Sequence, residues 1–167
     1  YRATEVSGAI LNAQLERIDE MLDRMRGHKR TLLKVGEEVG LRSITNHSVD
    51  YECGTHVGFV FENEEKARAF ASSMKETVGK VFLPIDTGRH VYTRWDPILR
   101  KQGAHHPSLN PFNLAENKAL NIEYSEDICP NSLDILSRSV LIGMHPDNDR
   151  GKVDEIAEAI RTAAQKV

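Results

Sequence analysis

Cysteine is nearly missing from this sequence of 167 residues: Cys53 and Cys129 stand far apart and form no Cys-x-x-Cys pair. That excludes a disulfide framework and a thiolate zinc centre, and it fits a reducing compartment. No apolar run approaches the roughly 20 residues that cross a bilayer, and no basic start leads into an apolar signal core. Neither a membrane span nor export is expected, and the cytoplasm is the expected location. A charge excess is missing as well. Lys and Arg number 22 against 25 Asp and Glu, a net −3, which gives no overall attraction for nucleic acid or an anionic membrane. Also absent are a glycine-rich phosphate loop, a Walker-type lysine motif and a Gly-x-Ser-x-Gly elbow.

What is present is a hydrophobic fraction of 40% beside a charged fraction of 28%, enough apolar surface for one core and one domain over 1–167. Leu11, Leu15, Ile18, Leu22 and Met25 recur at four- and three-residue steps, which predicts a helix from about residue 5 to 26, the body of a leading unit over 1–27. Leu32, Leu33, Val35 and Val39 either continue it past Gly27 or form a second helix that stops near Gly36 or Gly40. The period then changes to alternation. Val57, Phe59 and Phe61 mark one side of a strand over 55–62, and 41–46 is the weaker candidate for its partner.

Asn63 stands where a helix N-cap belongs, and Ala67, Phe70, Ala71 and Met74 form the buried stripe of the helix it begins, which Gly79 ends. Over 80–121, prolines and glycines interrupt every run, which predicts a long irregular segment. Such a stretch inside a compact domain is usually functional. Pro130 suits the first turn of a further helix carrying Leu133 and Leu136, and the continuous apolar run over 139–144 reads as a strand covered on both faces. A last helix carries Val153, Ile156, Ala157, Ile160, Ala163, Ala164 and Val167, capped by Asp147, Asn148 or Asp149. The order predicts an α+β fold, with helices on one face of a short, mainly antiparallel sheet.

Candidate chemistry concentrates over 89–106: Arg89, His90, Tyr92, Arg94, Trp95, Arg100, Lys101, His105 and His106. Singly, each fits a solvated loop. Together they point to an anionic or polyhydroxylated ligand, because arginine offers a planar fork and histidine and tyrosine exchange hydrogen bonds with hydroxyls. The seven histidines have poor metal spacing, and scattered polar histidines are expected in place of a metal centre.

The opening over 1–19, Tyr-Arg-Ala-Thr-Glu-Val-Ser-Gly-Ala-Ile-Leu-Asn-Ala-Gln-Leu-Glu-Arg-Ile-Asp, resembles a signature of the DegT/StrS-type pyridoxal-phosphate aminotransferases, in which an Asn-Tyr-Arg turn leads into a Gln-Leu-x-Arg-Leu-Asp helix. His90-Val91-Tyr92 looks like that family's substrate-side element. Cys129-Pro130-Asn131-Ser132, followed by 136–142, looks like its late Cys-Pro unit. The resemblance implies the small C-terminal domain of an aspartate-aminotransferase-like (type I) fold, preceded in the parent protein by a larger cofactor domain that carries the Schiff-base lysine. It further implies a homodimer, with pyridoxal phosphate as cofactor. The amino group would pass from glutamate or glutamine to a keto-sugar, sugar acid or cyclitol.

Carried over residue by residue, Arg2, His90 and Tyr92 are substrate-side groups, and Tyr1 is a cofactor-side contact across the dimer. Arg94 joins the substrate group on its chemistry alone. No lysine of this chain is assigned to catalysis, so the chain by itself is expected to be inactive. Two alternatives accompany this reading. One is the sugar-dehydratase branch of the same family, which the resemblance separates by a histidine in place of the lysine. The other is a non-catalytic domain that captures sugars or anions through 89–106 and associates through its first helix. A metallohydrolase is a third and more distant option.

Overall fold

The computed structural model describes residues 4–48, 50–88, 90–103 and 105–167. The first helix, α1 (Glu5–Glu38), is capped by the Thr4 side chain, which accepts from the Ser7 amide. It runs unbroken through Gly27, so the two helices considered over 5–39 are one. A glycine inside a helix costs only about 1 kcal/mol relative to alanine. The inner half of α1 offsets that by burying Met25, Leu32 and Val35.

Chain direction then reverses through β1 (Arg42–Ser43), β2 (His56–Val60) and α2 (Glu64–Val78). Asn63 accepts from the Lys66 amide, so the expected cap is in place, and Gly79 follows the helix at φ 81°. The short β3 (Val81–Phe82) comes next, and 84–128 holds single 3₁₀ turns with the brief helices α3 (Asp96–Leu99) and α4 (Ala115–Ala119). Order returns with α5 (Pro130–Ser137), β4 (Ser139–Gly143) and α6 (Arg150–Ala164), the last capped by Asp149 accepting from the Lys152 amide.

Among the described residues the strands form one four-stranded sheet in the order β1-β2-β4-β3, antiparallel throughout. Register places Val57 opposite Ile142 and Phe59 opposite Val140, with Val81 on the far side of Ile142. Alternation sends these side chains to one side, where they join Phe70, Met74, Ile156 and Ile160 of α2 and α6 in the core. The α1 helix closes onto the same core. Gly36 lies so near the sheet that a Cβ there would sit 2.3 Å from Cε1 of Phe59.

Two features differ from the sequence reading. The 139–144 run reads as covered on both faces, yet Leu141, which points away from the core that takes Val140 and Ile142, is only half-buried. The apolar stripe of α1 is likewise divided. Val6, Ile10, Leu11, Leu15 and Ile18 are 37–69% exposed, because the outer half of the helix extends beyond the core that receives the inner half.

Candidate functional site

The segment between β3 and α5 is built with little hydrocarbon burial. Between residues 84 and 138, Val91 is the one fully buried residue among those described. Polar groups hold the path instead. The Asn110 amide donates to the Lys101 carbonyl at 3.0 Å while its oxygen accepts from the Phe112 amide at 3.1 Å, and Asn113 and Asn117 donate to the carbonyls of Pro107 and Pro111. Prolines at the starts of these turns have no N–H to lose, so the remaining backbone groups are met by asparagine.

Tyr92 is the main tie across this segment. Its hydroxyl donates to the Glu126 carbonyl at 2.5 Å and accepts from the Cys129 amide at 3.2 Å. Two of the three hydrogen-bonding positions of the phenol are thereby engaged with backbone, which leaves one lone pair for a ligand donor. His90 and Arg94 are exposed nearby in the chain. Other members of the cationic cluster have local partners: Arg100 pairs with Asp96 at 3.3 Å, Lys101 with Glu123 at 2.8 Å, and Nδ1 of His106 accepts from the Ser108 amide. The expectations for Tyr1, Arg2 and Arg89 fall outside the described residues.

A cleft of about 430 Å³ opens on the same segment, lined by Lys101, Phe112, Asn117, Lys118, Asn121 and Tyr124 among others rather than by His90, Tyr92 or Arg94. The rings of Phe112 and Tyr124 meet edge to face at 6.0 Å. Among the described residues, Lys101 and Asn121 are the two non-glycine residues with positive φ, at 52° and 46°, and both line this cleft. Such backbone is held only where its surroundings enforce it.

A second polar constellation escaped sequence reasoning. Lys29 of α1 is 6% exposed and contacts Glu52 Oε2 directly, while Oε1 of Glu52 is enclosed without a hydrogen-bond partner. These two residues, with His56 at the start of β2, line a cleft of about 310 Å³. Gly54 draws the loop onto α1: at φ 68°, a Cβ there would sit 2.8 Å from the carbonyl carbon of Met25. Arg26 adds a hydrogen bond from Nε to the Glu52 carbonyl at 2.6 Å. The sequence did hold a signal. Lys29 occupies the stripe position between Met25 and Leu32, where a charge must find a buried partner.

His56 donates to or accepts from the Thr55 hydroxyl through Nδ1 at 3.0 Å, and its ring meets Phe82 edge-on. Burial, reinforced by Lys80 and Lys29, pushes its pKa below the ordinary histidine value. Among the described residues, no group of three or more His, Cys, Asp and Glu side chains is gathered as a metal site. Compared with known proteins, the chain matches no family model and no curated protein.

Proposed function

We propose that this chain is the small domain of a DegT/StrS-type pyridoxal-phosphate aminotransferase that transfers an amino group to a keto-sugar or related acceptor. The observation that carries the reading is the pair of hydrogen bonds made by the Tyr92 hydroxyl. They join the His-Val-Tyr element to the approach of the Cys-Pro element 37 residues later, the two late motifs of the resemblance. The exposed apolar stripe on the outer half of α1 also supports it, since a cofactor domain or second subunit would cover such a surface.

In this reading the segment forms one wall of the acceptor pocket. His90 and Arg94 present an imidazole and a guanidinium to acceptor hydroxyls or an acidic group, and Tyr92 fixes the loop that carries them. In this reading pyridoxal phosphate is bound mainly by the larger domain of the parent protein. The resemblance puts the Schiff-base lysine in that larger domain, and no lysine of this chain is assigned that role. No step through the cofactor is therefore assigned to this chain.

The test uses the full product of the gene that encodes this chain. The expected results are a pyridoxal phosphate absorption band that glutamate or glutamine bleaches, and a His90→Ala variant that slows acceptor turnover more than donor turnover. A full-length protein that takes up no pyridoxal phosphate would overturn the reading. Equal loss in both half-reactions would remove His90 from the acceptor side.

A further inference from the structure

We propose that the cleft lined by Phe112, Tyr124 and Lys118 is a site for an aromatic carboxylate. In it a flat ring lies among the apolar side chains and donates an N–H or O–H to Oδ1 of Asn113 or Asn117, and the carboxylate turns to Lys118. The inference does not rest on the aminotransferase reading, whose candidate residues His90, Tyr92 and Arg94 do not line this cleft.

Charge selects the sign of the ligand. The cleft holds about 430 Å³, within the range of small-molecule sites, and among the described residues no Asp or Glu lines it. Two lysines do. Lys101 is already paired with Glu123 at 2.8 Å, whereas Lys118 is exposed and makes no ion pair among the described residues. One ammonium is therefore open to the ligand, which suits a single carboxylate better than a polyanion.

The walls select a flat, apolar body. Phe112 and Tyr124 are half-buried and meet edge to face at 6.0 Å, and Leu120 and Ile122 add exposed hydrocarbon. A sugar carries hydroxyls on every side, and those facing Leu120 and Ile122 would lose water without gaining a partner. An aromatic ring escapes that loss. It also gains stacked or edge-on contacts with the two rings.

The asparagines select a donor on that ring. Asn113 and Asn117 each donate from Nδ2 to a proline carbonyl, Pro107 at 2.9 Å and Pro111 at 2.7 Å, which fixes both amide planes. Each Oδ1 accepts from no protein donor among the described residues, so both oxygens are open to a ligand N–H or O–H. The backbone is preset as well. Lys101 and Asn121 hold positive φ where they line the cleft, and Asn110 fastens the Lys101 carbonyl at 3.0 Å. Backbone of this kind gathers at ligand clamps.

The test titrates the full chain, isotopically labelled, with indole-3-acetate, an aromatic carboxylate with one ring N–H, while the ring resonances of Phe112 and Tyr124 are followed. A saturable shift that maps to the cleft is expected. Two related probes each lack one feature: 1-methylindole-3-acetate lacks the N–H and indole-3-acetamide lacks the charge. Each should bind about fivefold more weakly. Cyclohexylacetate, with neither a flat ring nor an N–H, should bind more weakly than the methylated compound. Lys118→Gln should weaken indole-3-acetate about fivefold, with indole-3-acetamide binding and the thermal midpoint unchanged. Lys118→Arg, which keeps the charge, should bind like the unaltered chain. No saturable shift, a shift that maps outside the cleft, any of the other three probes binding as tightly as indole-3-acetate, or unchanged affinity in Lys118→Gln would overturn the proposal.

Discussion

Two parts of the molecule reach order by opposite means. The sheet with α1, α2 and α6 is held by hydrocarbon: Phe59, Phe70, Met74, Ile142 and Ile160 are fully buried. The segment over 84–128 is held by amides, prolines and one phenol, with Val91 as its only fully buried side chain among the described residues. The difference separates rigidity from display. A hydrophobic core can hide its side chains because it needs none of them for binding. A loop pinned through its backbone keeps its side chains at the surface, which is where ligand contacts must be.

That contrast can be broken most severely in the core. Phe70 packs against Phe59 at 6.1 Å and Phe61 at 5.0 Å between ring centroids. Phe70→Ala should lower unfolding free energy by about 3–5 kcal/mol, read as a fall in the urea midpoint. Next in size is Gly54→Ala, which forces an unfavourable positive φ and a clash with the α1 backbone. A loss of about 1–3 kcal/mol is expected from the same denaturation curve, and an unchanged midpoint would show that the loop does not close on α1 as described.

On the polar side, Tyr92→Phe removes both hydrogen bonds and leaves the ring. Its effect of about 1 kcal/mol should be local: the Cys129 amide exchanges faster while the global midpoint hardly moves. A large global loss would mean that the segment is part of the core's cooperative unit.

The smallest effect concerns His56, which faces Lys29 from α1, Lys80 at the start of β3, and Glu52 and Thr55 from its own loop. Its folded pKa lies below the unfolded value, so its contribution to stability is complete above the ordinary histidine pKa and is lost as pH falls through the depressed one. An NMR titration should place its midpoint below that of free histidine. His56→Gln should make the acid side of the stability profile slightly flatter.

Much of the hydrophobic half was legible in the sequence because period and burial coincide there. Asn63 and Asp149 announce α2 and α6 through cap chemistry, and the alternation of Val57, Phe59 and Phe61 announces β2. The strand β3 was not legible. Two residues carry no period, and Val81 and Phe82 are strand only because Ile142 and Leu141 lie beside them. Continuity of α1 through Gly27 was open for the same reason, since the packing that outweighs a glycine is tertiary.

In the polar half, composition pointed to the segment but not to the roles of its residues. Tyr92 looks like a ligand group in sequence, yet its hydroxyl is largely occupied with backbone groups distant along the chain. The Lys29–Glu52 contact was hidden because its partners lie 23 residues apart, with no periodic relation between them.

The division of α1 has a mechanical consequence. Residues 4–20 form an arm about 25 Å long at 1.5 Å per residue, continuous with the buried half and with no joint between them. Whatever grips the arm therefore exerts torque on a fulcrum where Gly36 touches Phe59. The outer end is thus tied to the sheet and to α6 through one continuous helix and not through the loop segment.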